Sequence, residues 1–180
     1  MSNVPRAEQI TKLDAIQRQL RTAIQLFFEE RDSLPIYTLA AAAQGLLRDL
    51  LRPRGEGSFI KDSDFIVPEK RAEFMRLINR PQNFLKHADR DPEEVLERIP
   101  EASEGVLMDC LFMYQRLTGR QLREGIPFTV WYSVAYPQVL KPGPFADSIA
   151  VAKSASGGSV PGKADYLRLL ARGDLWREAD

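Results

Sequence analysis

The chain has 180 residues, enough for one domain with a hydrophobic core of its own. Hydrophobic residues make up 44% and charged residues 28%, which argues against a disordered or membrane-embedded chain. Lysine and arginine number 25, matched by 25 aspartates and glutamates. A large basic surface for duplex DNA is therefore not expected.

The first helix is predicted over about Arg6 to Arg31. Ile10, Leu13, Ile16, Leu20, Ile24, Phe27 and Phe28 recur there at three- and four-residue steps. Glu29-Glu30-Arg31-Asp32-Ser33 breaks that pattern. Ser33 as cap and Pro35 in the first turn open a second helix, which carries Leu39, the run Ala40 to Ala43, Leu46, Leu47, Leu50 and Leu51. The alanines permit close helix contact, and the short connection predicts an antiparallel hairpin over residues 6–52. Arg54 to Asp64 reads as an irregular loop.

A third helix is predicted from Pro68, with a kink or break at Asn79-Arg80 forced by Pro81. A short helix from Pro81 to Ala88 follows, then another from Asp91, whose cap, Pro92 and Glu94 form a start signal, to Arg98. Pro100 opens a helix through Val106, Leu107, Cys110, Leu111, Met113, Tyr114 and Leu117, expected to be the most buried and to stop at Gly119. Pro127 to Tyr136 suits a strand in composition, yet no partner strand is evident, so a helix is expected. Lys153 to Lys163 resembles a linker, and a last amphipathic helix is expected over about Ala164 to Arg172. The expected architecture is all-α, a bundle of about five to seven helices over residues 1–140 with a linker-like segment and helix over 141–180.

Cys110 is the only cysteine and reads as a small buried hydrophobe, so no intrachain disulfide can form. No segment reaches the roughly 18 apolar residues of a membrane span, and the N-terminus shows no apolar signal region. A cytoplasmic protein without a membrane partner is expected.

Chemistry concentrates in Asn79 to Asp91, which holds the sole histidine, His87. Arg80 can grip a phosphate, Asn83 and Lys86 can orient it, and His87 can move a proton. The competing reading is a capped turn in which Asp89 or Asp91 pairs with Lys86 or Arg90 and His87 is a structural hydrogen bonder. A metal site built on His87, Asp89 and Asp91, with Glu29 or Glu30, lacks the usual Glu-x-x-His helix motif, and no metal or cofactor is expected. Gly157 to Lys163 fits G-x-x-x-x-G-K, but Ala164 stands where a phosphate-binding loop needs a hydroxyl. Trp131, Tyr132 and Tyr136 can stack on bases or, more simply, on neighbouring helices. The tail helix with Leu167, Leu170 and Trp176 can dock on its own bundle or on a second copy.

The Arg80-to-His87 spacing, with Asn83 between, is similar to the R-x(4–6)-H signature of HEPN domains. The stretch from Ala23 to Leu51 resembles their opening helix pair. The chain also resembles a group of uncharacterised bacterial proteins sharing a TLAAAA…NFLKHADRDP pattern. The HEPN resemblance implies an all-α homodimer that binds RNA or nucleotide. It further implies metal-independent RNA cleavage, with phosphate binding by Arg80 and acid–base work by His87. The alternative function is a non-catalytic helical interaction protein.

Overall fold

The computed structural model describes residues 7–62, 67–89, 91–139, 143, 147, 150, 154 and 161–172. Among these the secondary structure is helical and no strand occurs. The α-helices are α1 (Lys12–Phe28), α2 (Ser33–Leu51), α3 (Phe59–Asp62), α4 (Pro68–Phe84), α5 (Ala102–Thr118), α6 (Gly125–Ala135) and α7 (Lys163–Ala171). No helix among the described residues is long and apolar enough to cross a membrane.

The α1 stripe begins at a capping box. Thr11 Oγ1 accepts from the Asp14 N–H at 3.1 Å, and Asp14 Oδ2 accepts from the Thr11 N–H at 3.0 Å. Ile16, Leu20, Ala23, Ile24, Phe27 and Phe28 are buried, as the three- and four-residue spacing predicts. The cap of α2 is Asp32, not Ser33: Asp32 Oδ1 accepts from the Leu34 N–H at 2.9 Å. Ser33 Oγ instead accepts from Arg98 at 2.8 Å.

α2 packs against both α1 and α5, and its small residues allow this. Ala40, Ala41 and Ala43 are buried, and the Cys110 Sγ–H of α5 donates to the Ala40 carbonyl at 3.4 Å. Burial raises the pKa of the Cys110 thiol well above its ordinary value, in keeping with a thiol that acts as a hydrophobe. α5 carries nine buried residues against eight in α2, so it is the most buried helix among those described. Gly119 ends it at φ 74°, a left-handed conformation that glycine adopts without steric cost.

Pro127 to Ala135 is helical, within α6, Tyr136 caps its end, and the rings of this stretch are packing groups. Phe27 lies 5.2 Å from Phe128 and 4.6 Å from Trp131, both edge-on. Residues 155–160 of the linker-like stretch, and Trp176, lie outside the described residues. α7 returns to α1 and α6, and Tyr166 stacks on Phe28 at 5.5 Å.

Further local expectations fail. α1 begins at Lys12 rather than near Arg6, and Ile10 is exposed. The loop after α2 contains the short helix α3. α4 runs unbroken through Pro81 to Phe84 and stops there rather than near Ala88. Residues 91–99 form a turn at Pro92-Glu93 and no helix. A helix there would have had little to bury: Val95 is 78% and Ile99 70% exposed.

Phe128 is fully buried within this ring cluster. Phe128→Ala is expected to lower unfolding free energy by about 3–5 kcal/mol, measured by equilibrium denaturation. A loss under about 1 kcal/mol would mean the cluster does not anchor α6.

Candidate functional site

The four residues singled out by the sequence lie at the end of α4. Arg80 and Asn83 sit on its last turns. Lys86 and His87 follow in a tight turn, where the Lys86 and His87 N–H groups both donate to the Asn83 carbonyl, at 3.1 and 3.0 Å. Asn83 and Lys86 are exposed and His87 is half-buried. The His87 ring makes no hydrogen bond or ion pair among the described residues. No side-chain bond joins any two of these four residues. Arg90 lies outside the described residues.

The Arg80 guanidinium is already engaged. Its Nε donates to Glu94 Oε1 at 2.8 Å, and a terminal nitrogen donates to the Val95 carbonyl at 3.3 Å. The Arg80 hydrogen bond is the largest cause of the lowered Glu94 pKa. The arginine assigned to an incoming phosphate therefore holds a carboxylate of its own chain. The pair faces solvent, with side chains 45% and 23% exposed, so another anion can compete for it.

A second polar cluster lies deeper. Asp109, in the middle of α5, is 3% exposed. Its Oδ2 accepts from Gln44 Nε2 at 2.7 Å and from Ser58 Oγ at 2.6 Å, and its Oδ1 accepts from the Phe59 N–H at 2.8 Å. Ser58 Oγ in turn accepts from the Lys61 N–H at 2.9 Å, which starts the single turn of α3. Lys61 is 5% exposed, and its ammonium donates to Gln82 Oε1 on α4 at 3.2 Å. Burial, aided by Arg48 and Lys86, lowers the Lys61 pKa, and Asp109 opposes the shift. Arg48 of α2 closes the cluster with two hydrogen bonds to Asp62, which hold the Asp62 carboxyl below its ordinary value.

Asp109 of this cluster lies within a helix whose sequence, from Val106 to Tyr114, is otherwise apolar. One signal was present: an aspartate at the centre of a helix otherwise suited to full burial needs donors from elsewhere in the chain. Which donors serve it was not encoded locally, because Gln44 and Ser58 lie 65 and 51 residues away.

Among the described residues no group of three or more His, Cys, Asp and Glu side chains is placed to hold a metal ion. No family model, curated protein or solved structure matches the chain. The site therefore has to be read from its own geometry.

Asp109→Ala strands three donors in a buried place, at a cost of about 3 kcal/mol or more in unfolding free energy. Chemical denaturation measures this, and a loss within about 0.5 kcal/mol would deny the cluster a structural role. Asp62 contributes with the opposite proton balance to a raised group. Its stabilisation is present above its ordinary value of 3.8 and fades as pH falls through the lower folded value. Asp62→Asn should therefore flatten the acid limb of a stability–pH curve and leave its alkaline limb unchanged.

Proposed function

We propose that the chain is a non-catalytic helical interaction protein that pairs with a second copy of itself through α4 and residues 85–99. The observation that carries this reading is the exposure of α4. Its 17 residues include none that is buried, and Leu77 is 58% exposed. Val67 before it and Val95 and Ile99 after it are exposed as well. A helix that buries so little of itself depends on tertiary partners for its stability, and exposed apolar groups of this kind mark contact surfaces. Charge favours a like partner. Glu69, Lys70, Arg71, Glu73 and Arg76 mix both signs along α4, a pattern that suits a two-fold, self-complementary interface. The HEPN resemblance implies the same stoichiometry.

Sedimentation should find twice the chain mass at about 100 µM. Leu77→Lys with Val95→Lys, both at exposed positions, should weaken the pairing about ten-fold or more. A wild type that stays monomeric removes the homodimer.

RNA or nucleotide binding at the end of α4 is a second reading. The unpartnered ring of His87 and the exposed Asn83 and Lys86 favour it, since all three are free to meet an anion. In that reading Glu94 competes with phosphate for Arg80, so Glu94→Ala should tighten RNA binding while Arg80→Ala weakens it. Incubation with single-stranded RNA separates the two functions. The non-catalytic reading expects equal background cleavage by wild type and His87→Ala. A drop of about 100-fold in the variant would establish a ribonuclease instead.

A further inference from the structure

Away from α4, the turn between α1 and α2, the first turn of α5 and the start of α7 line an open cavity of about 190 Å³. Its apolar wall is Phe27 and Ile36. Glu30 and Glu101 stand exposed at its edge, and Glu104 lines it while only 8% exposed. The Tyr136 hydroxyl donates to Glu104 Oε2, but Glu104 Oε1 has no hydrogen bond among the described residues. The carboxyl as a whole is buried, with one oxygen bonded to Tyr136 and the other turned to the open volume of the cavity, where a donor from solvent or a guest can reach it.

The nearby cations donate no hydrogen bond to that oxygen, although Lys163 acts on Glu104 through its charge. Lys163 places its ammonium over the Phe27 ring at 3.9 Å and the Trp131 ring at 5.5 Å, and it forms no ion pair with Glu104. Arg31 pairs with Glu29 at 3.3 Å. Arg98 is bonded to Ser33 and to the Pro100 carbonyl. One more feature fits a functional edge: Glu30 holds φ 55°, the left-handed conformation at a helix C-terminus that glycine usually fills.

We propose that this cavity binds a small organic ammonium ion, with Glu104 as the principal acceptor, Glu30 and Glu101 attracting the charge at the mouth, and Phe27 and Ile36 covering the alkyl part. The size sets the class. A cavity of about 150 Å³ accommodates a benzene ring, so the space within this one suits a primary amine of about five to eight non-hydrogen atoms. The site lies apart from α4 itself, and Arg98 of the 85–99 segment is bonded to its wall at Ser33 and Pro100.

Charge at Glu104 adds a pH signature. Burial is the largest cause of its raised pKa; the Tyr136 hydrogen bond and Lys163 oppose the rise, and Glu101 adds to it. Among the described residues, Glu30, Arg31 and Tyr132 are the other charged and titratable groups around it. Ammonium binding should strengthen as pH rises through the Glu104 titration and then level off.

The test titrates the full chain with n-butylamine, and with n-butanol as the uncharged counterpart, and follows backbone amide resonances by NMR. Saturable shifts at Ser103, Glu104 and Lys163 are expected with the amine, with a Kd of about 0.1–1 mM. Binding of the alcohol should be at least about ten-fold weaker. Glu104→Gln keeps an acceptor for Tyr136 and should lose about ten-fold in amine affinity while its thermal melt stays cooperative. Glu30→Gly should raise the melting temperature and weaken amine binding. Absence of saturable shifts in wild type overturns the proposal. So does equal affinity for amine and alcohol, or full affinity in a folded Glu104→Gln.

Discussion

The carboxyl group of Asp109 is the constraint on which the layout of the chain from the end of α2 to α4 rests. It sits on the helix with the most buried residues, where water cannot serve it, and it obtains hydrogen bonds from a side chain of α2, a serine hydroxyl and a backbone N–H of α3. A buried acceptor left short of donors costs several times what a satisfied one contributes. The chain after α2 is therefore drawn back onto α5 instead of looping into solvent. That places Ser58 and begins α3, a helix too short to persist by its own hydrogen bonds. Lys61 then stands beside α4, and Arg48 secures Asp62 behind it. The order of dependence runs from one carboxyl, to one turn of helix, to the anchoring of the next long helix.

α4 is attached by a different kind of force from the rest of the bundle. α1, α2, α5, α6 and α7 meet through continuous apolar faces and interlocked aromatic rings. α4 is held by polar links: Lys61 to Gln82, Arg71 to the Lys61 carbonyl at 3.3 Å, and Arg80 to Glu94 and Val95. Such links fix direction well and add little net stability, because each replaces a bond to water. The helix is oriented by the bundle without being absorbed into it.

How much of this could be read from the sequence follows from the range of each determinant. Helices α1, α2, α5 and α7 announce themselves because periodic burial is a local pattern, and Gly119 marks its stop because its conformation is local too. Pro81 misleads for a physical reason. A proline costs a helix one hydrogen bond and a steric adjustment. Here it falls in the last turn, where little helix remains to be lost. The Asp91 start signal is a sound cap with no apolar face behind it, so Glu94 becomes Arg80's partner instead of completing a capping box. Ser33 is displaced as cap by its neighbour Asp32 and serves Arg98, 65 residues away. Arg80 and His87 were found as residues, but their relation was not, since it depends on a carboxylate that arrives only when 91–99 folds back along α4.

That same segment joins the two surfaces. Residues 91–99 have no regular structure, yet they are fastened at both ends. Arg80 of α4 holds Glu94 and Val95, and Arg98 holds Ser33 and lies 5.7 Å from the centre of the Tyr37 ring. Ser33 and Pro100, both bonded by Arg98, line the cavity that contains Glu104. A stretch without a hydrogen-bond ladder of its own takes its course from its attachments. A guest in the cavity touches the wall to which Arg98 is tied, and a protein on α4 touches the ion pair at the other end. Linkage then requires that each change the other's affinity by one common factor, equal to unity only if 91–99 stays fixed. The arginines at the two ends give this segment bonds both to α4 and to the cavity wall, so it is a direct route by which that factor can depart from unity.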